Sequence, residues 1–167
     1  MIDVKKIESL GVSSSKLEFT EFLIESKGSK TFPDYKKLDL MKVPRLVPHV
    51  WVFNFKNGID DGLLYHFSGT KLDENYGQNV TGKKMEDVYP GIFKDEILDC
   101  FRQVYLQKKI AYTFRSDEIS EFGYIKYRIV ESLLFPCSED DQIVNFAIGI
   151  FSFTIGNEKI EPTFLIL

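Results

Sequence analysis

The stretch that decides the fold is VWVFNFKNGIDDGLLYHFS, residues 50–68. Its two ends, residues 50–55 and 63–68, are rich in aromatic and β-branched side chains, which favour extended strands. Between them, residues 57–62 begin with Asn-Gly and end with Gly, a composition typical of the tight turn between two strands. The stretch therefore predicts a β-hairpin, and the rest of the chain is interpreted around it.

Helices and strands follow the hairpin in separate blocks. A short helix is predicted over residues 70–76, because Gly77 supplies the left-handed conformation in which helices often end. The longest helix is predicted over residues 94–108, where apolar side chains recur on one face. Three strands are predicted at about residues 110–117, 122–135 and 142–154. Strands on either side of one helical block predict an α+β fold with a five-stranded antiparallel sheet and helices on one face.

An amphipathic helix is expected ahead of the hairpin, over residues 15–27. Ser15 and Glu18 match a capping box, and Gly28 ends the apolar pattern. The chain is then expected to have three parts: an N-terminal helical arm and linker at residues 1–33, the main domain at 34–155, and a C-terminal tail at 156–167.

Composition excludes several classes of protein. The net charge of −4 comes without a basic stripe, so nucleic-acid binding is not expected. The first residues lack the apolar run of a signal peptide, and no segment is long and apolar enough for a membrane span. Cys100 and Cys137 have neither disulfide-framework nor metal spacing. We expect a cytoplasmic protein that does not act at a membrane.

The stretch GQNVTGKK, residues 77–84, resembles a phosphate-binding loop at first sight. Lys84 stands where such a loop needs Ser or Thr to hold Mg²⁺. The loop also lies between two short helical turns, whereas a phosphate loop joins a strand to a long helix. We interpret its glycines as helix-end and turn residues, not as a nucleotide site.

An ordered set of short motifs resembles a bacterial subfamily of small stand-alone PAS proteins. The set spans about residues 34–154, and each member is weak alone. Its members are Pro48-His49, Gly69-Thr70, Tyr76-Gly77, Thr81-Gly82, Leu133-Leu134-Phe135-Pro136 and Gly149. Ser68 and Cys137 depart from the subfamily pattern, which leaves a shared ligand undetermined.

The resemblance implies a PAS fold, with ligands bound between the sheet and the helices. It implies sensing or partner binding more often than catalysis, so we expect a signalling module and not an enzyme. The ligand or cofactor is left unidentified. Haem is not expected, because haem-binding PAS domains place a His on the long helix and this chain has none there. A flavin adduct is not expected either, since the DCFRQ stretch at residues 99–103 has the wrong residue order.

The sharpest candidate site residue is Glu131, a carboxylate in a row of apolar side chains on one face of the strand predicted at 122–135. A buried carboxylate must be paired, hydrogen-bonded or protonated. One interpretation is that Glu131 anchors a small ligand. The other is a structural pair with Arg115, Arg102 or a tyrosine hydroxyl. The candidate ligand-binding residues, placed between the sheet and the helical block, are Tyr65, Tyr76, Tyr127 and Glu131. Arg128 lies on the opposite face and becomes a candidate if that face is the inner one.

The last predicted strand is apolar on both faces, so both faces need a cover. The N-terminal helix and a second subunit are the two available covers. We expect a homodimer with the helical arm at its interface, with the final residues PTFLIL in the same contact. A partner protein that reads the signal is a further expectation.

Two other classes remain open. One is a small α+β enzyme with Glu131 or His66 as acid/base in an enclosed pocket. The other is a purely structural dimer with a solid core. Metal binding is not expected, because neither His49 nor His66 has a second ligand at suitable spacing.

Overall fold

The computed structural model describes residues 2–167, apart from the side chain of Glu121. The helices are α1 (Val4–Glu8), α2 (Ser14–Lys27), α3 (Thr70–Tyr76), α4 (Met85–Val88) and α5 (Lys94–Gln107). The strands are β1 (Val50–Asn54), β2 (Leu64–Ser68), β3 (Ala111–Glu121), β4 (Tyr124–Cys137), β5 (Phe146–Gly156) and β6 (Thr163–Ile166). Three short 3-10 turns lie between α2 and β1.

All strands form one antiparallel sheet in the order β2-β1-β5-β4-β3-β6. The predicted hairpin is its β1–β2 edge, and β3, β4 and β5 follow one another as neighbours. The helices α3, α4 and α5 come between β2 and β3 and cover one face of the sheet. The predicted α+β fold class is confirmed.

A sixth strand extends the sheet beyond the five that the sequence predicted. Residues 163–166, expected to belong to a tail and to a dimer contact, pair with β3 from Phe114↔Thr163 to Ala111↔Ile166. The segment is only four residues long and follows a proline, so its alternating pattern is too short to predict a strand. It covers the edge of β3 within the chain.

The inner face of the sheet, meaning the face toward α3, α4 and α5, carries the larger apolar core. Trp51 and Phe53 of β1 meet Phe101 of α5, with ring centroids 5.9 and 6.0 Å from that ring. Val130 and Leu134 of β4 belong to the same cluster. The inner face of β4 therefore has even-numbered residues.

The outer face of the sheet, which points away from α3, α4 and α5, is covered in part by α1 and α2. Phe19 and Leu23 of α2 are fully buried against Leu133 and Phe135 of β4. The N-terminal helix thus folds back over the sheet, as one of the two expected covers. α2 begins at Ser14, and its N-cap residue forms no side-chain capping bond, so the predicted capping box does not form.

The GQNVTGKK stretch ends one helix and then runs beside β2. Gly77 takes a left-handed conformation with φ of 68° at the end of α3. The Gly82 N–H donates to Tyr65 O at 2.8 Å, and the Tyr65 N–H donates to Lys83 O at 3.0 Å. Lys84 bridges Leu64 in the same way. These residues shield the free edge of β2, which explains the glycines and lysines without a bound phosphate.

Candidate functional site

A small cavity of about 30 Å³ lies between the inner face of the sheet and helices α3, α4 and α5. Its apolar lining comes from Leu72, Met85, Phe101, Val130 and Phe151. Its polar lining comes from Trp51, Tyr65, Asn75, Tyr76, Tyr89, Arg115 and Ser132. A volume of this size admits about one or two water molecules, so the surrounding side chains nearly fill it.

Arg115 of β3 points into this cavity, and its side chain is 7% exposed. Its Nε donates to the Tyr89 hydroxyl at 2.9 Å, and its Nη1 donates to Thr113 Oγ1 at 3.3 Å. The Asp117 carboxylate is 4.0 Å from Nε, longer than the roughly 2.7–2.9 Å of a charge-assisted hydrogen bond. The buried cation is therefore hydrogen-bonded to neutral hydroxyl groups and only loosely paired with a carboxylate.

Two tyrosines form the opposite side of the cavity. The hydroxyls of Tyr65 and Tyr76 lie 2.9 Å apart and share a hydrogen bond. Burial raises the pKa of both phenols, and for Tyr65 the neighbouring Tyr76 raises it further. Burial also raises the pKa of Tyr89, although the guanidinium of Arg115 lowers it in part. All three phenols are neutral around pH 7 and can donate or accept hydrogen bonds.

Two buried polar atoms of the lining have no hydrogen-bond partner within residues 2–167. They are the indole Nε1 of Trp51 and Oδ1 of Asn75. Leaving a buried polar group unbonded costs about 1–3 kcal/mol, so such groups in a cavity lining point to a small polar guest. The Trp51 ring lies against Gly149 and occupies the space of a side chain there, because an added Cβ would be 2.3 Å from Trp51 Cζ2.

A larger pocket of about 480 Å³ adjoins the cavity on the side of the α4–α5 connection. Tyr89 and Asn75 line both spaces, so their side chains form the partition between them. Gly91 lies under the partition, because an added Cβ there would be 2.3 Å from the Tyr89 hydroxyl. Arg128 of β4 lines the larger pocket, and its Nε is buried without a partner among the described residues.

Glu131 lies on the outer face, away from this cavity. Its Oε2 is 2.7 Å from Nζ of Lys16 in α2, and its Oε1 accepts from the Tyr112 hydroxyl at 3.2 Å. Lys16 is fully buried and also donates to Ser13 and Ser152. Burial lowers the pKa of Lys16, while the Glu131 carboxylate acts to raise it. This ion pair joins the N-terminal helix to the sheet.

The structure corrects the predicted grouping of the candidate residues. Tyr65 and Tyr76 lie together in the inner cavity, as expected. Tyr127 and Glu131 are on the outer face of β4, because the even-numbered residues of that strand face the helices. Tyr127 is half-buried opposite Gly156, and Glu131 lines an open groove of about 550 Å³ beside α2. Whether any of the four binds a ligand stays a prediction.

Sequence reasoning missed several residues of the cavity. Arg115, Tyr89 and Trp51 were not among the predicted site residues, although Arg115 was considered as a partner for Glu131. The pairing Arg115↔Val130 is the signal that places Arg115 on the inner face, and it requires the strand register. Arg128 is also on the inner side, and its guanidinium carbon lies 5.9 Å from the centroid of the Phe153 ring.

The two histidines are separate from the cavity. His66 is exposed on β2, and its ring packs against Tyr35 and Phe146. The His49 ring lies near Phe151, and burial lowers its pKa. Within residues 2–167, no group of three or more His, Cys, Asp or Glu side chains is arranged to hold a metal ion. None of the helices in the same range has the length and apolar character needed to cross a membrane.

Solved structures similar to this chain include a PAS domain. The PAS domain of BvgS from Bordetella pertussis is 15% identical, with a TM-score of 0.47, over 70% of this chain and 85% of that one. VqmA bound to DPO is 11% identical with a TM-score of 0.47, over 70% of this chain and 58% of that one. A Vibrio cholerae VqmA dimer without its target DNA is 12% identical with a TM-score of 0.48, over 70% of this chain and 52% of that one.

The chain therefore spans little more than half of the VqmA chains it matches. No family model matches the sequence, and no curated protein matches it. All three TM-scores lie below 0.5, so these similarities do not define the family or the function of this chain. At identities this low, one fold serves unrelated functions, so the function has to be inferred from the site itself.

Proposed function

We propose that this chain is a sensory module that binds a small molecule between the inner face of its sheet and helices α3, α4 and α5. The observation that carries this proposal is the buried guanidinium of Arg115. It shares a cavity with a buried indole N–H of Trp51 that has no partner among the described residues. Apolar walls with a few convergent polar groups are the usual composition of a ligand site.

Ligand binding needs the cavity to expand, because about 30 Å³ is far below the roughly 300–1,000 Å³ of small-molecule sites. The neighbouring 480 Å³ pocket supplies that space if the Tyr89 side chain moves from the partition. The connection between α4 and α5 carries Tyr89, so binding would shift this segment. A shift of that kind is how we expect the module to pass on its signal.

The proposal can be tested with the protein as purified and with its one tryptophan. Native mass spectrometry against a denatured control should show a mass excess that disappears on denaturation. In parallel, the ¹H–¹⁵N signal of the Trp51 indole should shift when a library of small fragments is added, because this group lines the cavity. A native mass equal to the bare chain, together with an indole signal that no fragment moves, would overturn the proposal.

The enzyme alternative has weaker support. Glu131, its proposed acid/base, is held by Lys16 and Tyr112 and does not line the inner cavity. His66, the other candidate, is exposed on β2 and packs against aromatic rings. Glu131 lines an open groove and its carboxylate is already engaged by Lys16 and Tyr112, so it is poorly placed to transfer a proton to or from a substrate.

A homodimer is a second proposal, and it has its own observation. The end of the sheet at the β3–β4 turn leaves large apolar side chains exposed. These are Phe122 (96%), Tyr124 (73%), Ile125 (60%) and Ile155 (49%). Exposed apolar patches commonly mark interaction surfaces. Sedimentation equilibrium of the wild-type protein should give twice the chain mass. The Ile125→Lys variant should sediment with the mass of a single chain. A wild-type protein that sediments as a monomer at every concentration tested would refute the proposal.

A further inference from the structure

The inner cavity has an excess of hydrogen-bond donors. The guanidinium of Arg115 carries five N–H groups, and the structure gives acceptors within residues 2–167 to Nε and Nη1 only. The indole N–H of Trp51 adds another donor without a partner in that range. The Tyr65–Tyr76 pair uses one hydroxyl hydrogen internally and leaves the second free to donate. These donors outnumber Asn75 Oδ1, an acceptor of the lining without a partner in the same range, so a guest that fits the cavity must supply mainly acceptor atoms.

The cavity also has a positive charge that is poorly balanced. A buried charge is normally paired and hydrogen-bonded, because isolating it from water is costly. Asp117, at 4.0 Å, is 22% exposed, and its Oδ1 has no partner among the described residues. The N–H groups of Arg115 Nη2, which have no acceptor within residues 2–167, are therefore available to donate to a carboxylate. Electrostatics favour a guest with one negative charge.

The remaining walls limit the body of that guest. Leu72, Met85, Phe101, Val130 and Phe151 offer only apolar surface. A second charged group on the guest would be buried against these side chains without a partner, which costs more than the first charge gains. The walls therefore favour an apolar, compact body behind a single acidic group.

The geometry points to a small monocarboxylate as the ligand, and this inference rests on the proposed function. Its carboxylate would accept from Arg115 Nη2 and Trp51 Nε1, and its apolar body would lie between Leu72 and Phe151. Tyr89 would move out of the partition to admit it, because this side chain separates the cavity from the larger pocket. Arg128 lines that larger pocket together with Asp117 and Glu118, and its positive charge offsets only part of theirs.

The test compares acids with their neutral amides on the full chain. Three pairs serve as probes: acetate and acetamide, isovalerate and isovaleramide, and benzoate and benzamide. The readout is the Trp51 indole signal during titration with each probe. We expect at least one acid to bind about tenfold or more tightly than its amide, as a hydrogen-bonded charge pair predicts.

The variant Arg115→Met should remove the preference for the acid without removing the response to the amide. Arg102→Met is the matched control, because Arg102 pairs with Glu86 and Asp99 outside the cavity lining. Arg102→Met should keep the wild-type preference. If Arg115→Met does not fold, Arg115→Lys and the wild-type acid–amide comparison decide the question.

The outcomes separate the two proposals. An amide that binds as tightly as its acid, or an unchanged acid preference in Arg115→Met, overturns the monocarboxylate inference and leaves small-molecule binding standing. A response to neutral fragments alone has the same meaning. An indole signal that moves with none of the probes and with no library fragment, together with a native mass equal to the bare chain, overturns both proposals.

Discussion

Replacing Glu131 with Leu should destabilise the protein strongly, because it leaves the ammonium of Lys16 buried without its counter-charge. Lys16 has no exposed surface, and Glu131 Oε2 is 2.7 Å from its Nζ. Removing one partner of a buried ion pair costs about 3–5 kcal/mol, more than the pair itself contributes. In a chain of this size that loss lowers the melting temperature by roughly 6–20 °C. Urea unfolding at pH 7, followed by circular dichroism, measures the free energy directly.

The pH dependence of the same variant provides a second measurement. Burial lowers the pKa of Lys16 below its usual 10.5, and the Glu131 carboxylate opposes that shift. Without Glu131 the pKa of Lys16 falls further, so the unfolded chain binds one proton more than the folded chain over a wider pH range. Stability rises with pH wherever the unfolded state binds more protons. The deficit of Glu131→Leu should therefore shrink as pH increases toward 10.5.

The double variant Lys16→Met, Glu131→Leu removes both charges and is the control for packing. It should recover most of the lost free energy, since replacing a buried pair by apolar side chains is often neutral or stabilising by about 1–4 kcal/mol. Two results would refute the reasoning. One is a single variant as stable as the wild type, and the other is a double variant no more stable than the single one.

Three further predictions use other parts of the molecule. Gly149→Ala places a methyl group 2.3 Å from a ring atom of Trp51. The free energy of unfolding should fall by about 1–3 kcal/mol, and the tryptophan emission should shift. A variant with unchanged stability and emission would show that the ring has room for the methyl group. In an alkaline titration followed by absorbance, the exposed tyrosines should ionise while Tyr65 and Tyr76 stay un-ionised. Because burial raises their folded pKa, stability should fall as pH rises above 10, and Tyr65→Phe with Tyr76→Phe should flatten that loss in urea titrations. Burial raises the pKa of the Cys100 thiol to about 11, so a thiol reagent at pH 8 should label it only when the chain unfolds; fast labelling of the folded chain would contradict its burial beside β6.

Local patterns were sufficient to predict most elements. The helix at residues 70–76 was predicted with its observed bounds, because Gly77 marks its end. The hairpin followed from strand-forming residues around an Asn-Gly turn. The long helix ended one residue earlier than predicted. These signals act over a few residues, so they can be recognised in the sequence without knowledge of long-range contacts.

The sequence could not decide which face of β4 points toward helices α3, α4 and α5. The predicted ligand-binding residues depended on that decision. Ile129 and Leu133 point to one side and Val130 and Leu134 to the other, so apolar residues occur on both faces. An alternating pattern assigns faces only when one face is polar. β4 lies in the middle of the sheet with an apolar core on each side, so its sequence pattern does not show which face points toward the helices. Glu131 was consequently assigned to the wrong layer.

The burial of Lys16 is a purely tertiary effect. A lysine in the first turn of an amphipathic helix is expected to reach solvent, since lysine is rarely buried unless paired. Its partner Glu131 is on the fourth strand of the sheet, and no local pattern connects the two positions. Arg115 is similar, because Thr113 and Asp117 on the same face of β3 are polar, and such a row gives no local sign of burial.

The strand order has a consequence for how the chain must fold. β1 lies between β2 and β5, and Val50 pairs with Ile150, one hundred positions further along the chain. Distant pairings of this kind form late, because closing a long loop costs entropy before any contact is gained. The β1–β2 hairpin leaves the ribosome long before β5 does. Its apolar side chains therefore stay uncovered until β5 has been synthesised and pairs with β1. During synthesis, the hairpin of residues 50–68 is therefore the part of the chain that most needs protection from other proteins.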